Sequence, residues 1–148
     1  SARAFINQGE KTGALPDGRL KGEELSKNAS PVVSMDKKGV TALVESATKL
    51  IPSDYHESFC VDVMLHPSAV EGEDGLNVLK GVLMTYLNKG GQSIQFNIFN
   101  TDTLRDAQKN PEKYQNLQVR VCGWNTLWNN MSKKEQDAYI LRADNNIM

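Results

Sequence analysis

Arg120-Val121-Cys122-Gly123-Trp124 interrupts an alternating apolar pattern in this chain of 148 residues. Leu117, Val119 and Val121 alternate with polar residues, which is the pattern of a half-buried β-strand. A glycine directly after a strand is most often the turn or bulge residue that needs a positive φ. From this stretch alone, a tight turn and a functional glycine are equally good interpretations of Gly123.

Several short motifs precede this stretch in one fixed order. They are Pro16-Asp17-Gly18-Arg19, Ser30-Pro31, Met35-Asp36, Gly39-Val40-Thr41-Ala42, His66-Pro67-Ser68, Glu71-Gly72-Glu73 and Thr103-Leu104-Arg105-Asp106-Ala107-Gln108. Together with the stretch around Gly123, this order resembles the C-terminal part of the glycyl radical enzymes, the pyruvate formate-lyase-like family. The resemblance covers nearly the whole chain. Trp124 departs from the tyrosine or phenylalanine that is more frequent in the motif, but its flat ring can still pack over the loop and exclude water.

The resemblance implies that Gly123 stores a backbone radical. The unpaired electron would sit on Cα, between an amide nitrogen that donates electron density and a carbonyl that withdraws it. Glycine can become planar there without strain because it has no Cβ. Its neighbours in the motif are Arg120, Val121, Cys122 and Trp124. The chain would need no bound cofactor and no metal, since the radical is a stored modification installed by a radical S-adenosylmethionine iron–sulfur activating enzyme.

The same resemblance implies partners. In glycyl radical enzymes the cysteine that forms a thiyl radical lies far upstream in a glycine–cysteine motif, and this sequence contains no such motif. The expected partners are therefore a larger chain that carries the cysteine, the activating enzyme and a small-molecule substrate. The chain would be either the small part of a split enzyme or a fragment of a longer one. The implied activity is that of an anaerobic, oxygen-sensitive lyase-type enzyme, with dehydration and decarboxylation among the family's reactions.

Patterns along the rest of the chain predict an α/β fold, with helices alternating with three strands. The predicted strands cover Phe59 to Leu65, Ser93 to Phe99 and Leu117 to Val121. Three strands do not close a barrel, and as an open sheet they leave edges unprotected. The resemblance implies a large barrel of two half-barrels ringed by helices. The chain is therefore expected to be part of that barrel and incomplete without a partner chain.

Prolines, glycines and capping residues predict where the helices and irregular segments begin and end. A helix with apolar residues on one face is predicted from Lys38 to Pro52, and another has an apolar stripe from Leu76 to Leu87. The capping-box patterns are Ser68 with Glu71, Thr103 with Asp106, and Ser132 with Glu135. Residues 1–37 contain many glycines and prolines and are predicted to be an irregular wrapping segment. Residues 38–148 are predicted to form the glycyl radical domain.

Composition argues against several classes of function. The net charge is −1, so there is no basic footprint for nucleic acid or an anionic membrane. No apolar run approaches the length of a membrane span, and the first residues show no signal-peptide pattern. Two cysteines are too few for a disulfide framework or a zinc site. A reducing cytoplasm is the expected location.

The other conspicuous side chains have ordinary structural interpretations. Cys60 lies in a predicted buried strand and is expected to be inert, while Cys122 is interpreted as a small buried residue rather than a radical relay. His66 is expected to make a structural hydrogen bond, and His56 has no neighbour at a catalytic spacing. Trp128 is expected to be a core residue.

Two other functions remain open at this stage. A spare-part protein would bring a free glycyl radical domain to an oxygen-damaged enzyme, but such domains resemble the family over the last part only, whereas here the match begins at Pro16. A non-enzymatic α/β interaction module would form no radical after treatment with an activating enzyme. Anaerobic ribonucleotide reductases also have an Arg-Val-Cys-Gly-aromatic end, but they carry a paired-cysteine metal site near it, and this chain has no Cys-x-x-Cys.

Overall fold

The computed structural model describes residues 4–32, 35–56, 59–121 and 123–144. Within these ranges the helices are α1 (Ala4–Lys11), α2 (Gly39–Ala47), α3 (Gly72–Asn88), α4 (Thr101–Lys109) and α5 (Lys133–Asp144). The strands are β1 (Cys60–Leu65), β2 (Ser93–Ile98), β3 (Gln118–Val121) and β4 (Trp124–Leu127). None of the helices in these ranges is long and apolar enough to cross a membrane.

The strands form two separate pairs. β1 and β2 are parallel, from Cys60 opposite Ser93 to Leu65 opposite Ile98, and α3 is the crossover between them. β3 and β4 form an antiparallel hairpin in which Val121 lies opposite Trp124. The prediction of helices alternating with three strands is confirmed. The fourth strand, β4, was not predicted, because its side chains are exposed or half-buried and give no apolar alternation.

Two hydrophobic cores lie on opposite sides of β1. The first contains α2, α3 and one face of the β1–β2 sheet; its buried members are Val40, Leu43, Val44, Ala47, Phe59, Val61, Val63, Leu65, Val82 and Tyr86. The second joins the other face to the hairpin, α4 and α5; its buried members are Met64, Leu104, Ala107, Val119, Val121, Trp128, Met131, Tyr139, Ile140 and Ala143. From Val61 onward every residue of β1 is buried, as the apolar run predicted.

The predicted apolar stripe of α3 is only partly buried. Val82 and Tyr86 pack into the first core, and the Tyr86 hydroxyl donates to the carbonyl oxygen of Phe59 or Ser93, each 2.9 Å away. Leu76 and Leu87 at the two ends of the stripe remain exposed. The described part of the chain therefore leaves apolar surface on this helix uncovered.

One capping prediction is confirmed. At the start of α5 the Ser132 N–H donates to Glu135 Oε2 at 2.6 Å, and the Glu135 N–H donates to Ser132 Oγ at 3.3 Å. This reciprocal pair satisfies two N–H groups that the helix itself leaves unpaired. It is the capping box that the sequence pattern predicted.

The other two capping predictions were wrong. Ser68 lies in a short 3₁₀ turn and bonds to His66, so it is not available to cap, and α3 begins only at Gly72. α4 begins at Thr101, two residues before the predicted start, because the Asn100 side chain accepts the N–H of Asp102 at 2.8 Å.

Within residues 1–37, the residues that the structure describes are more regular than predicted. Helix α1 was missed, because eight residues with few apolar positions give little periodicity. After α1, the buried guanidinium of Arg19 orders the chain by donating to four backbone carbonyls, at 2.5–3.3 Å. These acceptors belong to Gly9, Gly13, Glu23 and Glu24. The division into a wrapping segment and a domain at residue 37 remains a prediction.

Buried ion pairs attach the described part of residues 1–37, called the early segment below, to the rest of the chain. Lys27 Nζ lies 3.5 Å from Asp62 Oδ2 on β1, and Asp36 Oδ2 lies 3.6 Å from Arg142 Nε on α5. The Ala29 N–H also donates to the Cys60 carbonyl oxygen at 2.9 Å. Because charges this deeply buried are costly without partners, these contacts place Lys27 and Ala29 against β1 and Asp36 against α5.

Candidate functional site

Gly123 lies at the turn of the β3–β4 hairpin. Since Val121 pairs with Trp124, the connecting loop contains two residues, Cys122 and Gly123. Gly123 has φ +83°, a conformation that L side chains rarely adopt and that two-residue hairpin turns often require. The turn interpretation of this glycine is therefore correct as a description of its backbone. Cys122, assigned to the same motif, lies outside the described residues.

The loop is held from β2 by one buried side chain. The Gly123 N–H donates to Gln95 Oε1 at 2.9 Å, and Gln95 Nε2 lies 3.5 Å from the Arg120 carbonyl oxygen. The Tyr139 hydroxyl of α5 donates to the same carbonyl oxygen. The oxygen and the NH₂ group of the Gln95 amide therefore both contact the hairpin, one on each side of its turn. Sequence reasoning identified neither Gln95 nor Tyr139 as part of this site.

The polar face of β2 is more buried than its apolar face. The sequence pattern placed Ile94, Phe96 and Ile98 on the buried side. Ile94 and Phe96 do pack against the first core, but Ile98 is exposed. In contrast, Gln95 and Asn97 are buried. The strand therefore has two covered faces, and the contacts of Gln95 with the hairpin explain why a polar side chain is buried there.

An open cavity of about 590 Å³ adjoins Gly123. Its lining comes from β1, β2, the hairpin and the early segment: Asn28, Cys60, Ser93, Ile94, Gln95, Phe96, Arg120 and Gly123. Cys60 is half-buried at this cavity, so the expectation that it is buried was wrong for this first residue of β1. Its chemical inertness remains a prediction.

The two tryptophans after the glycine have opposite environments. Trp124 is 74% exposed, so within this chain most of its ring is uncovered. Trp128 is 0% exposed and packs edge-on against Tyr139, with ring centroids 6.3 Å apart. The prediction that Trp128 is a core residue is confirmed. In this chain, the ring next to Gly123 is therefore open to solvent or to another protein surface.

The remaining predicted residues have structural contacts. Val121 is buried in the second core, whereas the exposed Arg120 side chain reaches Asn125 Oδ1 across 3.4 Å. His66 Nδ1 lies 2.7 Å from Ser68 Oγ and also accepts the Ser68 N–H. The prediction of a structural hydrogen bond for His66 is confirmed.

Comparison with known proteins identifies the family. The family model described as "Glycine radical" matches residues 25–129, which include Gly123. An indoleacetate decarboxylase from Tractidigestivibacter scatoligenes is 41% identical over 97% of this chain and 16% of the relative. The glycyl radical subunit of a 4-hydroxyphenylacetate decarboxylase from Clostridioides difficile is also 41% identical, over 93% of this chain and 15% of the relative.

Solved structures agree with this. The glycerol-bound B12-independent glycerol dehydratase from Clostridium butyricum superimposes with a TM-score of 0.87 at 37% identity. The match covers 94% of this chain and 18% of the dehydratase chain. The chain thus spans less than a fifth of the length of these relatives. Because the family model matches most of its length, the chain belongs to the glycyl radical enzyme family.

Proposed function

We propose that Gly123 carries a stored backbone radical, and that this chain is the glycyl radical part of a pyruvate formate-lyase-like enzyme. The position of Gly123 is the main support for this proposal. It lies at a hairpin turn beside an open cavity, with its amide fixed by Gln95. A glycine that served only as a turn would need the positive φ but neither the cavity nor the buried amide beside it.

The geometry at Cα also suits hydrogen abstraction. One of the two Cα hydrogens of Gly123 points where a Cβ would lie, and beyond the adjoining residues no described atom comes within 4 Å of that position. This hydrogen is therefore accessible to a reagent from outside the chain. A radical S-adenosylmethionine activating enzyme would remove it and leave a planar Cα radical between the amide nitrogen and the carbonyl group.

The radical requires a thiol from elsewhere. The sequence has no glycine–cysteine motif, and the relatives are more than five times longer than the matched part. We propose that the thiyl-forming cysteine lies on a larger partner chain. The Gly123 radical would take the thiol hydrogen of that cysteine, and the resulting thiyl would take a hydrogen atom from a small-molecule substrate. The family barrel would be completed by the same partner.

The relatives indicate which reaction to test first. The two relatives described above are decarboxylases, so decarboxylation of a small carboxylic acid is the first candidate and dehydration the second. Similarity to the indoleacetate decarboxylase runs over 97% of the chain. That extent favours an enzyme part over a spare-part protein, which would resemble the family over the last part only.

Electron paramagnetic resonance tests the proposal. The chain, its partner and an activating enzyme would be combined without oxygen, and a doublet from one Cα hydrogen is expected. Labelling with α-deuterated glycine should collapse that doublet, which identifies the radical as glycyl. A preparation that assembles and meets an active activating enzyme, yet shows no glycyl signal, would contradict the proposal.

A further inference from the structure

We propose that Gln95 is a positioning residue for the radical at Gly123, acting by fixing the amide nitrogen that shares the unpaired electron. The inference rests on the proposed function of Gly123. Three observations carry it: the Gly123 N–H donates to Gln95 Oε1 at 2.9 Å, Gln95 is buried, and its amide NH₂ group faces the Arg120 carbonyl oxygen.

Gln95 is buried and lies on a paired strand. It lies in the middle of β2, opposite Asp62 in a parallel pairing that continues along the whole of both strands. Asp62 is itself buried, and its side chain accepts a hydrogen bond from Asn28 Nδ2 at 2.6 Å. A side chain on a paired, buried strand can hold a loop more accurately than a neighbour on another loop.

The hydrogen bond from Gly123 to Gln95 involves the amide nitrogen over which the unpaired electron would be delocalised. A glycyl radical is stabilised when the amide nitrogen, Cα and the carbonyl group lie in one plane, because the nitrogen lone pair and the carbonyl π orbital then overlap with the half-filled p orbital on Cα. An acceptor on the N–H increases the electron density on nitrogen and fixes the peptide plane that precedes Cα. Because the Gln95 amide NH₂ group also faces the Arg120 carbonyl oxygen, the side chain spans the turn and keeps its acceptor oxygen at the Gly123 N–H.

Tyr139 does not have this role. Its hydroxyl donates to the Arg120 carbonyl oxygen but makes no described hydrogen bond to Gly123. Tyr139 also packs against Trp128 in the second core, so its removal would disturb the fold generally. Gln95 is the side chain whose loss should change the radical itself.

The test replaces Gln95 with methionine in the complete, assembled enzyme. Methionine keeps a similar length and flexibility but offers no comparable hydrogen bond to the Gly123 N–H. The matched control is Gln92→Met. Gln92 lies just before β2 and bridges other backbone groups: it accepts the Phe59 N–H at 3.1 Å and donates to the Pro52 carbonyl oxygen at 2.9 Å. It makes no described contact with Gly123.

The decisive measurement is the nitrogen hyperfine coupling of the radical in enzyme labelled with ¹⁵N-glycine, since this coupling reports spin density on the amide nitrogen. In Gln95→Met we expect a changed coupling and a radical yield about fivefold lower, the scale of one lost hydrogen bond. Gln92→Met should leave the coupling unaltered. An unchanged coupling in Gln95→Met would overturn the inference, whatever the yield.

If Gln95→Met forms no measurable radical, Gln95→Glu decides the matter. Glutamate keeps an oxygen at the position of Oε1, so recovery of the radical supports the acceptor role, whereas an equally silent glutamate variant overturns it. Failure of the proposed function would be distinct, because the unsubstituted enzyme would then show no glycyl radical either.

Discussion

Gly123 and Gly90 have the same backbone φ, +83°, and outside their adjoining residues neither has a described atom within 4 Å of the position that a Cβ would occupy. Gly90 follows the end of α3, far from the hairpin in sequence. The two glycines therefore have equal conformational demands, and only one lies in the radical motif. Substitutions at these two positions can therefore distinguish the loss of a turn glycine from the loss of the radical.

Alanine at position 123 is expected to abolish the radical and turnover. It replaces the accessible Cα hydrogen by a methyl group, and a planar radical centre would then carry a substituent. The strain of an L residue at positive φ costs about 1–2 kcal/mol at either site. Gly90→Ala should therefore lower stability by a similar amount and keep the radical. Unfolding curves and radical quantification check both; turnover by Gly123→Ala would refute the assignment.

Exposure of the activated chain to air is expected to split the backbone at Gly123. A carbon radical combines with O₂, and the peroxyl species that forms breaks the main chain at that residue. The expected products are a long piece ending at Cys122 and a short piece covering residues 124–148. Mass spectrometry of activated and unactivated samples measures this. Cleavage at another residue, or equal cleavage in both samples, would exclude Gly123 as the radical site.

Cys122→Ser is expected to keep the radical. Serine has nearly the same volume as cysteine, so we expect the two-residue loop between Val121 and Trp124 to accept it. Substrate turnover should also persist if Cys122 has only a structural role. The measurements are radical yield and turnover in the assembled enzyme. A variant that keeps the radical but loses turnover would instead favour Cys122 as a radical relay.

Substitutions of the two tryptophans are expected to have different effects, one on the stability of the chain and the other on its binding to a partner. Trp128→Ala removes a fully buried ring and should cost about 3–5 kcal/mol of stability. Trp124→Ala removes an exposed ring and should leave the stability of the chain unchanged within about 0.5 kcal/mol. If a larger partner covers the face around Gly123, Trp124→Ala should weaken the complex. Melting curves and affinity measurements check this; unaltered affinity would show that no partner contact depends on Trp124.

Glu24→Gln is expected to stabilise the fold at neutral pH. Burial raises the pKa of the Glu24 carboxyl group above its ordinary value, and the charge of Lys134 offsets only part of this effect. A raised pKa means that the folded state binds the proton more tightly than the unfolded state, so stability falls as pH rises through the folded pKa. Glutamine does not ionise and avoids that loss.

The pH dependence provides the check on Glu24. Melting temperatures of the two proteins should converge at acidic pH, below the ordinary glutamate pKa, where the carboxyl group is protonated in both states. Glu112→Gln, at an exposed position, is the control and should show no such divergence. A Glu24→Gln difference that persists at acidic pH would indicate a packing effect instead.

The sequence by itself predicted the features that depend on residues close together in the chain. β1 has a mostly apolar run, α2 has apolar residues at helical spacing, and Ser132 with Glu135 forms a reciprocal cap within one turn. The family was predicted from ordered motifs, and the position of Gly123 after a strand followed from the alternation in β3. Each of these depends on residues close together in the chain, so no long-range contact was needed.

Tertiary structure decided the rest. Gln95 and Gly123 are far apart in sequence, and only the placement of the hairpin on the polar face of β2 joins them. The same holds for Arg19, whose charge gave no sign that it would be buried among backbone carbonyls. The exposure of the Trp124 ring likewise follows from where the hairpin lies on the rest of the described chain. Such burial is decided by packing between distant segments, which neither periodicity nor local propensity records.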